Sequence, residues 1–272
     1  MSFLVLLLVA LILLWSPWYR GFPRDVLQDW VQWAAGVGSG WGALAVVLAL
    51  LLPVGLLLWL VDGLAYGVLT LLLHGVLLLC CVGRHDPLRS LIAGVQSAWE
   101  RGDEDAAALV AEQQPGLSGE QAADLPAHVR ARMVALCLQD YFVPAFWYLL
   151  LGPLGALGYR LAELTRQQWG RSVSRPAGML VHALEWIPAR LLALSFALVG
   201  QFDSTLRTVR GVAAEWDLSA GELVICCARA AVQPAPQAAG TPAAGGLEET
   251  RQLLLRAMLA WAVIIAFLSV LG

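Results

Sequence analysis

DYFVPAFWYLLLGPLGALGYRL at residues 140–161 and HALEWIPARLLALSFALVGQFD at 182–203 decide how this chain is read. Both are apolar enough to enter a bilayer, yet they hold Asp140, Arg160, Glu185 and Arg190 together with Pro144, Pro153 and Pro188. A charge at the middle of a membrane helix costs at least ~2.5–3.5 kcal/mol, so it is kept where it is compensated or used. A proline inside a helix removes a hydrogen bond and crowds the turn before it, so both segments are expected to be broken or re-entrant.

The composition around them agrees. Apolar residues make up 59% and charged residues 14% of the 272, and mean hydropathy is +0.70. A soluble domain has roughly 45–50% and 25%, so the chain reads as an integral membrane protein. The net charge of −3 is small and scattered, which sets nucleic acid aside as a partner. All 17 basic residues are arginine. Without lysine there is no Walker A loop, no Schiff-base amine and no pyridoxal site.

Six apolar stretches follow one another. Residues 2–15 fall short of a ~30 Å hydrocarbon core, but Pro17, Trp18 and Tyr19 extend them to an interface, giving a span at 2–18. A signal peptide is the competing reading, against which stand the absence of a basic start and of a small-residue cleavage site. Residues 42–61 and 64–82 form a hairpin around Asp62 and Gly63, and 253–271 supply a final span. Arg20 and Arg24 precede the hairpin and Arg84, Arg89, Arg101, Arg130 and Arg132 follow it, which puts both flanks in the cytoplasm by the positive-inside rule. A simple crossing at 140–160 would export Arg160, Arg166, Arg171 and Arg175, whereas a segment that dips in and returns keeps them inside. The re-entrant form is favoured.

The expected architecture is therefore all-α: a polytopic membrane protein with about four firm transmembrane helices, two broken or re-entrant segments and a cytoplasmic helical region. Its parts are the helices of 1–83, a cytoplasmic helical region at 84–140, broken membrane helices at 141–203, a cytoplasmic helix and flexible linker at 204–247, and a C-terminal helix at 248–272. Asp86-Pro87 opens a helix whose Leu88, Leu91, Ile92, Val95 and Trp99 share a face, and Pro126 can open a longer one running to Asp140. Glu100, Asp103, Glu104 and Asp105 read as a solvated loop rather than a metal site. The uncharged Pro/Ala/Gly run at 232–246 reads as a tether. Cys80, Cys81, Cys137, Cys226 and Cys227 lack CxxC spacing and are expected to be free thiols; His74, His85, His128 and His182 are too scattered for a metal centre.

DPLRSL at 86–91, GDEDAAAL at 102–109, FVPAFWYLLLGPLGALGYRL at 142–161 and LEWIPARLLAL at 184–194 occur in an order and spacing that resembles the AmpE/CobD (CbiB) superfamily of bacterial inner-membrane proteins. The cobalamin-pathway members join an aminopropanol group to adenosylcobyric acid with ATP. Their acidic elements are replaced here, by Glu112-Gln113-Gln114, by VALCLQ at 134–139, by LTRQQ at 164–168 and by Val181, His182 and Glu185. What remains is similar to the AmpE branch, with Arg89, Pro144, Phe146 and Pro188 at family-motif positions. The acidic-basic pair typical after the first apolar run is absent, Leu13, Leu14 and Trp15 standing there instead.

The resemblance implies a multi-pass inner-membrane modulator of β-lactamase induction and of the response to β-lactam antibiotics, without an intact catalytic site. Its implied partners are the lipid bilayer and a cell-wall-derived ligand or muropeptide-pathway protein; it specifies no cofactor and no metal. Arg190, Glu185, His182 and Asp140 are the candidates for a polar membrane site, Arg190 having the alternative of reaching lipid phosphates at the boundary. An enzyme retaining group transfer, with Asp140, Glu163 and Glu185 as acids, and a small-molecule transporter are the other two readings.

Overall fold

The structure, a computed structural model, describes residues 5, 26–35, 40–62, 67–81, 125–168, 171–232 and 245–271. Among them every regular element is helical: α1 (Val26–Ala35), α2 (Trp41–Leu48), α3 (Leu51–Val61), α4 (Val68–Cys81), α5 (Leu125–Cys137), a π turn (Leu138–Phe142), α6 (Val143–Leu151), α7 (Pro153–Gln168), α8 (Arg171–Val199), α9 (Phe202–Val212), α10 (Ala220–Ala231) and α11 (Gly245–Leu271). By length and composition four helices can cross a membrane: Trp41–Val61, Leu125–Leu151, Arg175–Val199 and Gly246–Phe267. The chain is an all-α membrane protein.

Two of these four differ from the sequence expectation. Residues 125–151 form one long helix with an internal π turn, and α8 runs unbroken through Pro188. Within the expected 64–82 span, the described helix Val68–Cys81 has 14 residues. The expected span at 2–18 lies outside the described residues save Val5, as do the helices of 84–124, with Arg89, and the linker at 233–244.

The chain divides into two compact units. The first comprises Met1–Arg84, Asp140–Ile187 and Ile265–Gly272. At its centre α7 packs against α1, α2, α3, α4 and α6. Ala156, Leu157, Leu161 and Leu164 of α7 join Leu27, Val31, Val47, Leu78 and Tyr148 in one buried cluster. On α3, Leu52, Leu56, Trp59 and Leu60 are exposed, as lipid-facing side chains are. Pro53 has no N–H for the carbonyl of Ala49, and that oxygen instead accepts from Leu52 N at 3.1 Å, a tighter i→i+3 bond that carries α2 into α3. Gly152 turns the chain at φ +68°, a conformation open to glycine at little cost, and Pro153 opens α7. Asp140 meets Arg160, and the carbonyl of Trp147 lies 2.6 Å from where a Cβ on Gly155 would be. Both contacts fall nearly symmetrically about the turn, so α7 doubles back along α6.

The second unit comprises His85–Gln139 and Pro188–Ile264. Here α10 packs against α9 and α5, burying Val129, Met133, Val209, Leu223, Val224 and Cys227. Where a helix was expected in the first part of 204–247, the structure has two, α9 and α10. The second starts at a capping box in which Ser219 Oγ accepts from Glu222 N and Glu222 Oε2 accepts from Ser219 N, both at 3.2 Å. Ser195 Oγ accepts from Trp261 Nε1 at 2.9 Å, joining α8 to α11.

All five cysteines are free thiols. Cys226 is exposed while its neighbour Cys227 is buried, and burial, with a smaller effect from Cys226, pushes the Cys227 thiol up to about 11. At pH 8 only about one Cys227 in a thousand is thiolate, the form that reacts. A maleimide at pH 8 is therefore expected to modify Cys226 and spare Cys227 until the protein is unfolded, as read by peptide mass spectrometry; equal labelling of the folded protein would contradict this packing.

Candidate functional site

The polar residues of the first unit gather on α7 and the two segments that face it. On α7 the run Tyr159, Arg160, Glu163, Arg166 and Gln167 repeats at three- and four-residue steps, so these side chains share one side of the helix. Glu163, only 1% exposed, accepts from Arg166 Nε at 2.7 Å and Nη2 at 2.6 Å and from Gln167 Nε2 at 2.7 Å. This two-pronged contact is the strong form of an arginine–carboxylate pair. It holds the Arg166 guanidinium above its usual range, against the opposing effect of burial.

Asp140 belongs to the π turn. Pro144 would set its ring against the carbonyl of Asp140 four residues earlier, and the turn ahead of it is widened to i→i+5 hydrogen bonding over Leu138–Phe142. Asp140 Oδ1 lies 3.5 Å from Arg160 Nη1, with both side chains about 10% exposed. At that distance the pair is held by charge more than by a tight hydrogen bond. Arg160 Nε is buried without a hydrogen-bond acceptor among the described residues.

Glu185, on α8, is also buried and accepts a 2.7 Å hydrogen bond from the Tyr159 hydroxyl. One turn further Pro188 leaves the carbonyl of Leu184 without its helical donor. The indole Nε1 of Trp147 supplies one at 3.0 Å. Phe146, half-buried, packs edge-to-face on Trp147 with centroids 5.4 Å apart. On α4, His74 Nδ1 is 3.2 Å from the Tyr148 hydroxyl.

Of the four residues singled out from sequence, Asp140 and Glu185 are thus engaged by neighbouring residues of α7, and His182 lies half-buried on α8. Arg190 has a different task. Its Nε donates to the Ala213 carbonyl at 2.6 Å and its Nη2 to the Glu215 carbonyl at 2.8 Å. These carbonyls follow α9, where a helix runs out of its own donors; Arg190 therefore closes the end of α9 within the second unit. Tyr159 and Trp147 were missed. The spacing of 159–167 could have revealed the first, and the tryptophan of an apolar run beside a proline-bearing helix gives only a weak hint of the second.

Among the described residues no three His, Cys, Asp or Glu side chains gather as a metal-binding group. The three buried acids are instead engaged by Arg160, by Arg166 with Gln167, and by Tyr159. Arg160→Met is expected to destabilise the protein by about 3–5 kcal/mol by removing the counter-charge of the buried Asp140 carboxylate, whereas Arg160→Met with Asp140→Leu should recover most of that loss. Trp147→Phe should cost about 1 kcal/mol in the native chain and markedly less beside Pro188→Ala, which restores the helix's own donor to Leu184. Thermal unfolding of the purified variants measures both cycles; additive losses in either would refute the pairing.

The chain has segments similar to two proteins described as cobalamin biosynthesis protein CobD. One, from Stutzerimonas stutzeri, is 33% identical over 82 residues, 28% of this chain and 27% of the relative. The other, from Chromobacterium violaceum, is 36% identical over 81 residues, 28% of this chain and 26% of the relative. The match thus spans about a quarter of the length of each. No solved structure matches the chain. The family described as "Regulatory signalling modulator protein AmpE" matches residues 38–272, most of the chain and both compact units, and the chain belongs to the AmpE family.

Proposed function

We propose that this protein is an inner-membrane modulator of β-lactamase induction and of the response to β-lactam antibiotics, acting as a regulator without catalysing a reaction of its own. The carrying observation is that the three buried acids among the described residues, all on or around α7, are engaged by arginine, glutamine or tyrosine. Two of these engagements, Arg160 with Asp140 and Tyr159 with Glu185, join separate helical segments and so stabilise a particular packing of helices. Separating a buried ion pair costs about 3–5 kcal/mol, enough to make a rearrangement of α7 against the π turn a switch between discrete states. Membership of a family described as signalling modulators supports the same reading. A cell-wall-derived ligand or a muropeptide-pathway protein is the signal it would receive.

The test is β-lactamase activity, with and without an inducing β-lactam, in a strain deleted for this gene and complemented with wild type, Asp140→Asn or Arg190→Ala, membrane abundance being measured alongside. Altered induction that wild type restores and Asp140→Asn at equal abundance does not is the expected result. Induction unaffected by the deletion would overturn the proposal.

The local identity to CobD proteins favours a second reading, an ATP-dependent group transfer related to cobalamin biosynthesis. On that reading Mg-ATP or a corrinoid would raise the unfolding temperature of the purified protein. The regulatory reading expects no such shift.

A further inference from the structure

The hairpin of α6 and α7, in the first unit, is apolar at its turn and polar at its open end. From Phe142 to Tyr159 no residue is charged. At the turn, Leu150 is 60% and Leu151 62% exposed. At the far end of α7, Arg166 and Gln167 are exposed as well, and every residue from Tyr159 to Thr165 between these ends is buried.

The length of α7 sets how deep such a hairpin can reach. Arg166 directs both prongs of its guanidinium to Glu163, one turn nearer Gly152, so its charge does not extend beyond the end of the helix. Gly152 and Arg166 are 14 residues apart, about 21 Å along a helix, whereas a hydrocarbon core is ~30 Å thick. With the turn at the far surface, the exposed Arg166 would lie ~9 Å inside the hydrocarbon, a costly place for a charge that protein does not enclose. With Arg166 at the near boundary, the turn stops ~9 Å short of the far one. The outgoing arm, continued back through the π turn, is long enough to cross alone, so the returning arm decides the depth.

The turn itself suits hydrocarbon, where a backbone group without a partner is costly. A single residue, Gly152, separates the two helices. Its carbonyl accepts from Gly155 N at 3.1 Å, and Pro153 brings no N–H that would need an acceptor. Acyl chains keep Leu150 and Leu151 out of water, which favours the same placement.

We propose that the α6–α7 hairpin is a re-entrant wedge: it enters and leaves the bilayer on one side, and its Leu150–Leu151 tip ends among lipid acyl chains. Arg166, Arg171 and Arg175 follow the return, which by the positive-inside rule makes that side the cytoplasm. The polar cluster on α7 then meets water at its Arg166 end, and a signal acting on it arrives from the cytoplasm. The wedge stands whether or not the protein modulates β-lactamase induction.

The full chain carrying Leu151→Cys or Gln167→Cys is treated with a membrane-impermeant maleimide in right-side-out and in inside-out vesicles. Peptide mass spectrometry reads each site apart from the native cysteines. Gln167→Cys is expected to react only in inside-out vesicles, and Leu151→Cys in neither until SDS dissolves the membrane. Reaction of Leu151→Cys in intact vesicles of either kind, or of Gln167→Cys in right-side-out ones, would overturn the proposal. A diazirine analogue of leucine, incorporated in place of leucine and close to it in shape, separates shielding by lipid from shielding by protein and serves equally if Leu151→Cys fails to fold. Irradiation in nanodiscs is expected to attach phospholipid acyl chains to the peptide holding Leu150 and Leu151. Cross-links from that peptide to protein alone would refute a tip in lipid.

Discussion

The polar side of α7 is the constraint on which the first unit depends. Arg160, Glu163 and Tyr159 are buried, and none could face hydrocarbon without a compensating partner. Glu163 is satisfied within its own helix by Arg166 and Gln167, but Arg160 and Tyr159 must find Asp140 and Glu185 elsewhere in the chain. The apolar residues of α7 sit in the surrounding core. A helix of this composition has to be enclosed by protein, and the apolar helices that enclose it turn leucine and tryptophan outward. Lipid-facing helices and a protein-buried polar one are thus two consequences of the same desolvation cost.

Prolines shape the route of the chain around that helix. Each proline within a long helix deprives the carbonyl four residues earlier of its donor, and the protein meets this need in three ways. The carbonyl before Pro53 takes an i→i+3 bond from Leu52. Ahead of Pro144 the turn opens into π form, and this turn carries Asp140. The carbonyl of Leu184, four residues before Pro188, accepts from Trp147, and α8 is continuous where a break was expected. Pro144 and Pro188 each stand within a turn of a buried acid, so the segments that depart from regular helix are also those that present carboxylates to α7.

The partial likeness to CobD proteins and the family match over residues 38–272 concern the same membrane scaffold. A membrane scaffold can be retained while its charged residues change task. Arg190 illustrates this: placed in an apolar run and beside Glu185 in sequence, it reads as a member of an intramembrane polar site, yet two backbone carbonyls after α9 hold its guanidinium. In the structure it braces the connection that follows α9.

Composition alone determined that this is a membrane protein built of helices, because 59% apolar residues in long runs leave no other economical way to satisfy the backbone in lipid. The order of its motifs determined the family. The helical spacing that puts Tyr159, Arg160, Glu163 and Arg166 on one side of α7, although present in the sequence, was passed over, whereas Asp140, Glu163 and Glu185 were legible as candidate acids. Only the tertiary structure decided who compensates them. Asp140 and Arg160 are 20 residues apart and Tyr159 and Glu185 are 26, so their meeting depends on a turn at Gly152 and on helix rotations set by a π turn and by proline. One-dimensional spacing tells which side chains share a helix face, but the neighbour that face meets is settled by how the helices pack.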